Sequence, residues 1–241
     1  GLSVSMVGLF TPVYMLKLGY TLVAIITMMV YYFMARVFAD FMAAKAVAMY
    51  GAKHVLLAGQ AILVLASLLF LTLERNSWPL WLLGPVWGIA QSCYFVSFDT
   101  DFSKIKHSKH AGKELSYVET MTKIGAVSGP LLGALVSSVG GAQYIFAVST
   151  ALLVWGLSPL LKTREPIRPG TKIRFRSLPV KKLRKHLLPV AAINLETNLS
   201  LVLWPLFLAL FVLNNSNVFS RIGILAAIST LASISFAHVV G

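Results

Sequence analysis

The sequence predicts an all-α, multi-pass membrane protein, and three observations carry that prediction. Of the 241 residues 57% are hydrophobic and only 12% charged, about half the charged share usual in soluble domains, and the mean hydropathy is +0.78. The apolar residues gather into eight runs, most of them close to the roughly 20 residues a helix needs to cross a hydrocarbon core. Lysine and arginine fall almost wholly on alternate connections between these runs, the asymmetry that membrane topology leaves in a sequence.

The runs cover residues 1–16, 21–43, 54–73, 78–98, 115–139, 142–161, 187–213 and 218–240. The first is short and carries Thr11 and Tyr14. The second holds Arg36 and Asp40. The third and sixth have no charge within their cores. The fourth contains Gln91 and Tyr94 and ends at Asp99 and Asp101. The fifth holds Glu119 and Lys123 ahead of a glycine-rich stretch. The seventh carries Glu196 between Asn194 and Asn198, and the eighth runs to the end of the sequence. The aromatic residues Tyr31, Tyr32, Trp78, Trp81, Trp155 and Trp204 suit packing or interfacial anchoring. Because the chain starts and stops inside apolar runs, it is expected to be a fragment cut at both ends.

Orientation follows from the connections. One side receives sixteen basic residues, ten of them within residues 162–185, and the other receives Lys17, Arg75 and Arg221. The lysine-rich side is therefore expected to be cytoplasmic, together with the N-terminus and the central loop. Residues 162–186 read as a basic linker held near anionic headgroups. It divides a six-helix bundle, residues 1–161, from the first two helices of a second, truncated bundle, residues 187–241. A faint repeat supports the division: the segment from Pro12 to Lys17 resembles that from Pro205 to Leu210, at an offset of 193 residues.

Composition also excludes several classes. A net charge of +13 invites a nucleic-acid reading, but the basic residues form no nucleic-acid motif, so no nucleic acid is expected as partner and the lipid bilayer is. Cys93 is the single cysteine, which rules out a disulfide framework and a cysteine-ligated metal site. No cofactor or metal centre is expected, and no G-xxxx-GK-[ST] loop is present to cradle a nucleotide.

The stretch Gly125-Ala-Val-Ser-Gly129-Pro130-Leu-Leu-Gly133 places three glycines four residues apart. Such residues drift by only about 40° per step around a helix and form one narrow stripe without side chains. A second helix can approach that stripe closely, which is how helices associate in lipid. On the fifth run, the pattern G-xxx-GP-xx-G resembles the antiporter-type signature of the fifth helix of major facilitator superfamily transporters, with Ala134 where a second glycine is frequent. The connection after the second run resembles that superfamily's cytoplasmic loop motif, G-x-L-A-D-R-x-G-R-K, only at Gly51 and Lys53. The aspartate and arginine positions fall on Ala48 and Met49.

The resemblance implies a six-helix bundle followed by a second, parallel repeat. It implies a secondary active transporter that moves a small-molecule substrate by alternating access, coupled to protons, with antiport or efflux favoured over uptake. The full-length protein would be a monomer in the inner or plasma membrane. Helices one, four and seven would line its cavity, which nominates Thr11, Tyr14, Gln91, Tyr94, Asn194, Glu196 and Asn198 for substrate or proton coupling. Counted from residue 187, Glu196 lies near the bilayer midplane, where a carboxyl is protonated, paired or beside water. A charge deep in lipid costs about 2.5–3.5 kcal/mol on insertion scales, so Arg36 with Asp40 and Glu119 with Lys123, each four residues apart, are expected to pair. Helices two and five face the seam between halves in the resembling family, which makes these four residues candidates for a cytoplasmic gate.

Two other classes compete with this reading. An integral-membrane lipid-modifying enzyme would need clustered acid–base residues at a membrane face, for which only Asp99, Asp101, His107 and His110 are available. A non-transporting structural or receptor relative would be indifferent to Glu196.

Overall fold

The computed structural model describes residues 1–105, 111–162, 180–213 and 218–240. Among these residues the chain is helical, without strands. The helices are α1 (Leu2–Lys17), α2 (Leu22–Tyr50), α3 (Ala52–Leu71), a single turn α4 (Leu73–Asn76), α5 (Leu80–Ile105), α6 (Ala111–Gly140), α7 (Tyr144–Lys162), α8 (Val180–Phe207), whose end widens into a π-helical stretch (Leu208–Val212), and α9 (Val218–Val240). The eight long helices coincide with the eight apolar runs.

Among the described residues, five segments are suited by length and composition to crossing a membrane: Leu22–Tyr50, Ala52–Leu71, Gly112–Gly140, Tyr144–Lys162 and Leu195–Val212. Leu2–Lys17 is a shorter apolar helix, and the part of α9 over Val218–Ser233 is apolar as well. Polar residues such as Gln91, Ser92, Ser97, Asp99 and Asp101 dilute the hydropathy of α5, yet this helix packs between α2 and α3.

Helix ends depart from the expected bounds where helix formers continue beyond an apolar run. The second run was read to residue 43, but Ala44–Ala48 contains no breaker and α2 persists to Tyr50. Gly51 alone then joins α2 to α3, at φ +92°, a conformation that disfavours a side chain. Likewise α8 starts at Val180, inside the stretch assigned to the linker, because Val180–His186 holds neither glycine nor proline. The rest of that linker, residues 163–179, lies outside the described residues, as do His107 and His110.

Packing is uneven from end to end. At the lysine-poor end, α1, α2, α3, α5, α7, α8 and α9 share one buried core containing Phe10, Tyr14, Met28, Phe70, Phe146 and Ile222. Its aromatic rings form a connected chain, with Tyr14 5.0 Å from Phe146, Phe146 5.4 Å from Phe70, and Phe70 5.7 Å from Trp87. Toward the lysine-rich end this close packing gives way to open space between α1, α5, α6 and α8.

Candidate functional site

That space is a cavity of about 570 Å³. The first two turns of α1 contribute Gly1, Val4, Ser5 and Gly8; the last turns of α5 contribute Tyr94, Phe95 and Phe98; the first half of α6 contributes Tyr117, Met121 and Thr122; and Leu201 enters from α8. A cavity of this size suits a small organic molecule. On α5 the spacing of four puts Tyr94 and Phe98 on one face, stacked at 6.2 Å with planes 2° apart, while Phe95 meets Tyr94 edge-on at 5.3 Å. Among the described residues the lining is mostly apolar and aromatic and contains no ionisable side chain other than the two tyrosines.

The cavity's frame depends on the α6 glycines, which bring α1 into backbone contact. A Cβ on Gly125 would lie 3.0 Å from the Leu2 amide nitrogen; one on Gly129 would strike Ser5 Oγ and come 2.8 Å from the Leu2 carbonyl oxygen; one on Gly133 would strike the Phe10 ring. Ser5 fastens this contact by donating to the Gly125 carbonyl at 2.9 Å. The opposite side of the same stretch meets α9, where a Cβ on Gly223 would lie 2.5 Å from the Pro130 carbonyl oxygen and 2.7 Å from Ala134. One short motif on α6 therefore packs against the first helix and the last.

Of the residues nominated for substrate or proton coupling, Tyr94 lines the cavity. Thr11 and Tyr14 instead lie in the closed core: Thr11 Oγ1 donates to the Val7 carbonyl at 2.7 Å, and the Tyr14 ring packs on Phe146. Gln91, one turn before Tyr94, faces a separate small void among α1, α3, α5 and α7. Glu196 is exposed and accepts a hydrogen bond from Ser200 Oγ at 3.2 Å. It lies on α8, between the basic start of that helix and the cavity-lining Leu201. Asn198 is half-buried, and the side chain of Asn194 is outside the described set.

The four gate candidates do not converge. α2 packs on α5 and α3, while α6 packs on α9 and α1. Arg36 does not pair with Asp40: its guanidinium donates to the Tyr32 hydroxyl at 3.3 Å and lies 5.7 Å from the centre of the Phe95 ring. Helical side chains lean toward the N-terminus, so a long side chain reaches the residue four before it more readily than the one four after. Glu119 and Lys123 are exposed and line a groove of about 340 Å³ between α6 and Leu231 of α9, without an ion pair between them. Gly51 is buried at its turn and Lys53 is half-buried.

Sequence reasoning missed Ser5, Gly8, Phe95, Phe98, Tyr117, Met121, Thr122 and Leu201. The spacing of Tyr94 and Phe98, and of Val118, Met121, Thr122 and Gly125, on one face of each helix was the available signal.

A family model described as Major Facilitator Superfamily matches residues 1–240. No curated protein and no solved structure matches the chain.

Proposed function

The chain belongs to the major facilitator superfamily, a superfamily of membrane transporters, and on that premise we propose that it carries a small, largely apolar organic solute by alternating access. The observation that carries this reading is the 570 Å³ cavity walled by Tyr94, Phe95, Phe98 and Tyr117. Aromatic faces contribute apolar contact area and bind flat or cationic groups. Few hydrogen-bonding groups line the cavity, so a many-hydroxyl sugar would leave its own groups unpaired, at about 1–3 kcal/mol for each buried one. With packing tight at the lysine-poor end, this conformation opens toward the lysine-rich end, which the distribution of basic residues assigns to the cytoplasm. We assign proton coupling to Glu196, an exposed carboxylate on α8 that accepts a hydrogen bond from Ser200, and antiport as the mode.

The test is transport by the full-length protein in proteoliposomes. The expected result is that Glu196→Gln abolishes pH-gradient-driven movement of an aromatic organic substrate while leaving binding and expression intact. Unchanged proton coupling in that variant would remove Glu196 from the mechanism, and no saturable movement of any apolar solute by the wild type would remove the substrate class.

A further inference from the structure

The void that Gln91 faces is about 10 Å³, close to the smallest space that holds one water molecule. It lies where four helices meet, with Ser3 and Val4 on α1, Ser67 on α3, Gln91 on α5 and Ser149 on α7. Gln91 is 4% exposed, Ser67 3% and Ser149 0%. The Oε1 atom of Gln91 is fully buried and has no protein donor within hydrogen-bond distance. Ser149 Oγ has only a long contact, 3.4 Å, to the Ser3 carbonyl.

Cavities that stay dry are apolar throughout, whereas buried waters sit where several polar groups lack partners. This void has both features of a wet site: room for one molecule and an acceptor facing it with nothing to accept from. In a membrane the alternative is worse than in a soluble core, because lipid offers no substitute donor. We propose that a single ordered water occupies this void, donating to Gln91 Oε1 and bonding to the Ser149 and Ser67 hydroxyls. Val4 also lines the large cavity, so the site lies directly behind the cavity wall. The water ties α3, α5 and α7 together through one molecule, against the α1 residues that line the same void. By contrast, Gln60 meets its need directly, donating from Nε2 to the Leu153 carbonyl at 2.9 Å. The proposal does not depend on what the carrier moves.

Two measurements on the full-length protein test it. A map sharp enough to show ordered waters elsewhere should contain a peak within hydrogen-bond distance of Gln91 Oε1 and Ser149 Oγ; an empty void in such a map overturns the proposal. The second is a thermal-stability cycle with Ala66→Val, which fills the void, and Gln91→Leu, which removes the acceptor. With water present, Ala66→Val in the wild-type background displaces it, orphans Gln91 and lowers Tm by several degrees. In the Gln91→Leu background the same filling has a distinctly smaller effect. Equal shifts in both backgrounds, or a rise in Tm from Ala66→Val alone, overturn the proposal.

Discussion

Gly223 on α9 is pressed against the carbonyl oxygen of Pro130 on α6, so closely that a Cβ would stand 2.5 Å from it. Proline at 130 removes an amide hydrogen and so frees a carbonyl one turn earlier in α6, while its own carbonyl sits at the seam between the sixth and ninth helices. Backbone at both sides of the contact leaves no flexible side chain to yield. Gly223→Ala should therefore destabilise the protein by about 1–3 kcal/mol, the usual range for overpacking. Gly112→Ala, where an added Cβ meets nothing within 4 Å, is the control and should stabilise α6 slightly through helix propensity. Thermal unfolding in nanodiscs distinguishes them; equal behaviour of the two variants would show that the seam tolerates separation.

The stacked pair Tyr94 and Phe98 gives the cavity a flat aromatic face. Phe98→Ala removes one ring of that face without touching the helix contacts that hold α5 in place. Losing part of an aromatic contact is worth about 1.5–3 kcal/mol, equivalent to a KM increase of roughly tenfold to a hundredfold for an apolar substrate. The expected signature is a raised KM with an almost unchanged kcat. A variant with wild-type KM would place substrate elsewhere.

Arg36 offers a test of which partner matters. The structure bonds it to the Tyr32 hydroxyl and places it over Phe95, so Tyr32→Phe should cost about 0.5–1.5 kcal/mol of stability. Asp40→Asn should cost less. Exchanging Arg36 and Asp40 would bring a carboxylate toward the negative face of the Phe95 ring and should fail to restore stability. Full stability of the exchanged protein would instead point to an i,i+4 pair in the membrane.

The fold was legible because each helix announces itself as an apolar run, and lipid enforces that pattern on every span. Helix ends were less legible: Lys45 interrupts the apolar run after Ala44, yet the alanine-rich chain that follows has no reason to stop before Gly51. The site was legible only in part. Gln91 and Tyr94 lie three residues apart, about 60° around α5, and that rotation separates a small void from a large cavity. No count of polar residues along a run records which neighbour fills the next 60°. Glu196 was visible as a carboxylate in an apolar run, but its exposure and its bond to Ser200 depend on how α8 packs, which no run records.

At the lysine-poor end Phe219 packs 5.8 Å from Phe10 and receives Lys17 at 5.5 Å from its ring centre. It joins α1 to α9, elements on opposite sides of the proposed division between halves, so opening that end must separate Phe219 from both. A buried Phe→Ala replacement removes about 3–5 kcal/mol of packing, and the cation–π contact adds about 0.5–1 kcal/mol at an exposed cation. Each 1.4 kcal/mol taken from the closed form alone shifts the population tenfold. The expected outcome is that Phe219→Ala raises the rate at which a membrane-impermeant thiol reagent, added from that side, labels a reporter Thr11→Cys by tenfold or more. Thr11 is fully buried in the closed form, and the background must be Cys93→Ser because Cys93 is the only native cysteine. If labelling stays slow while the protein remains folded, closure rests on the wider core around Phe146 and Phe70, and Phe219 is only one of its contacts.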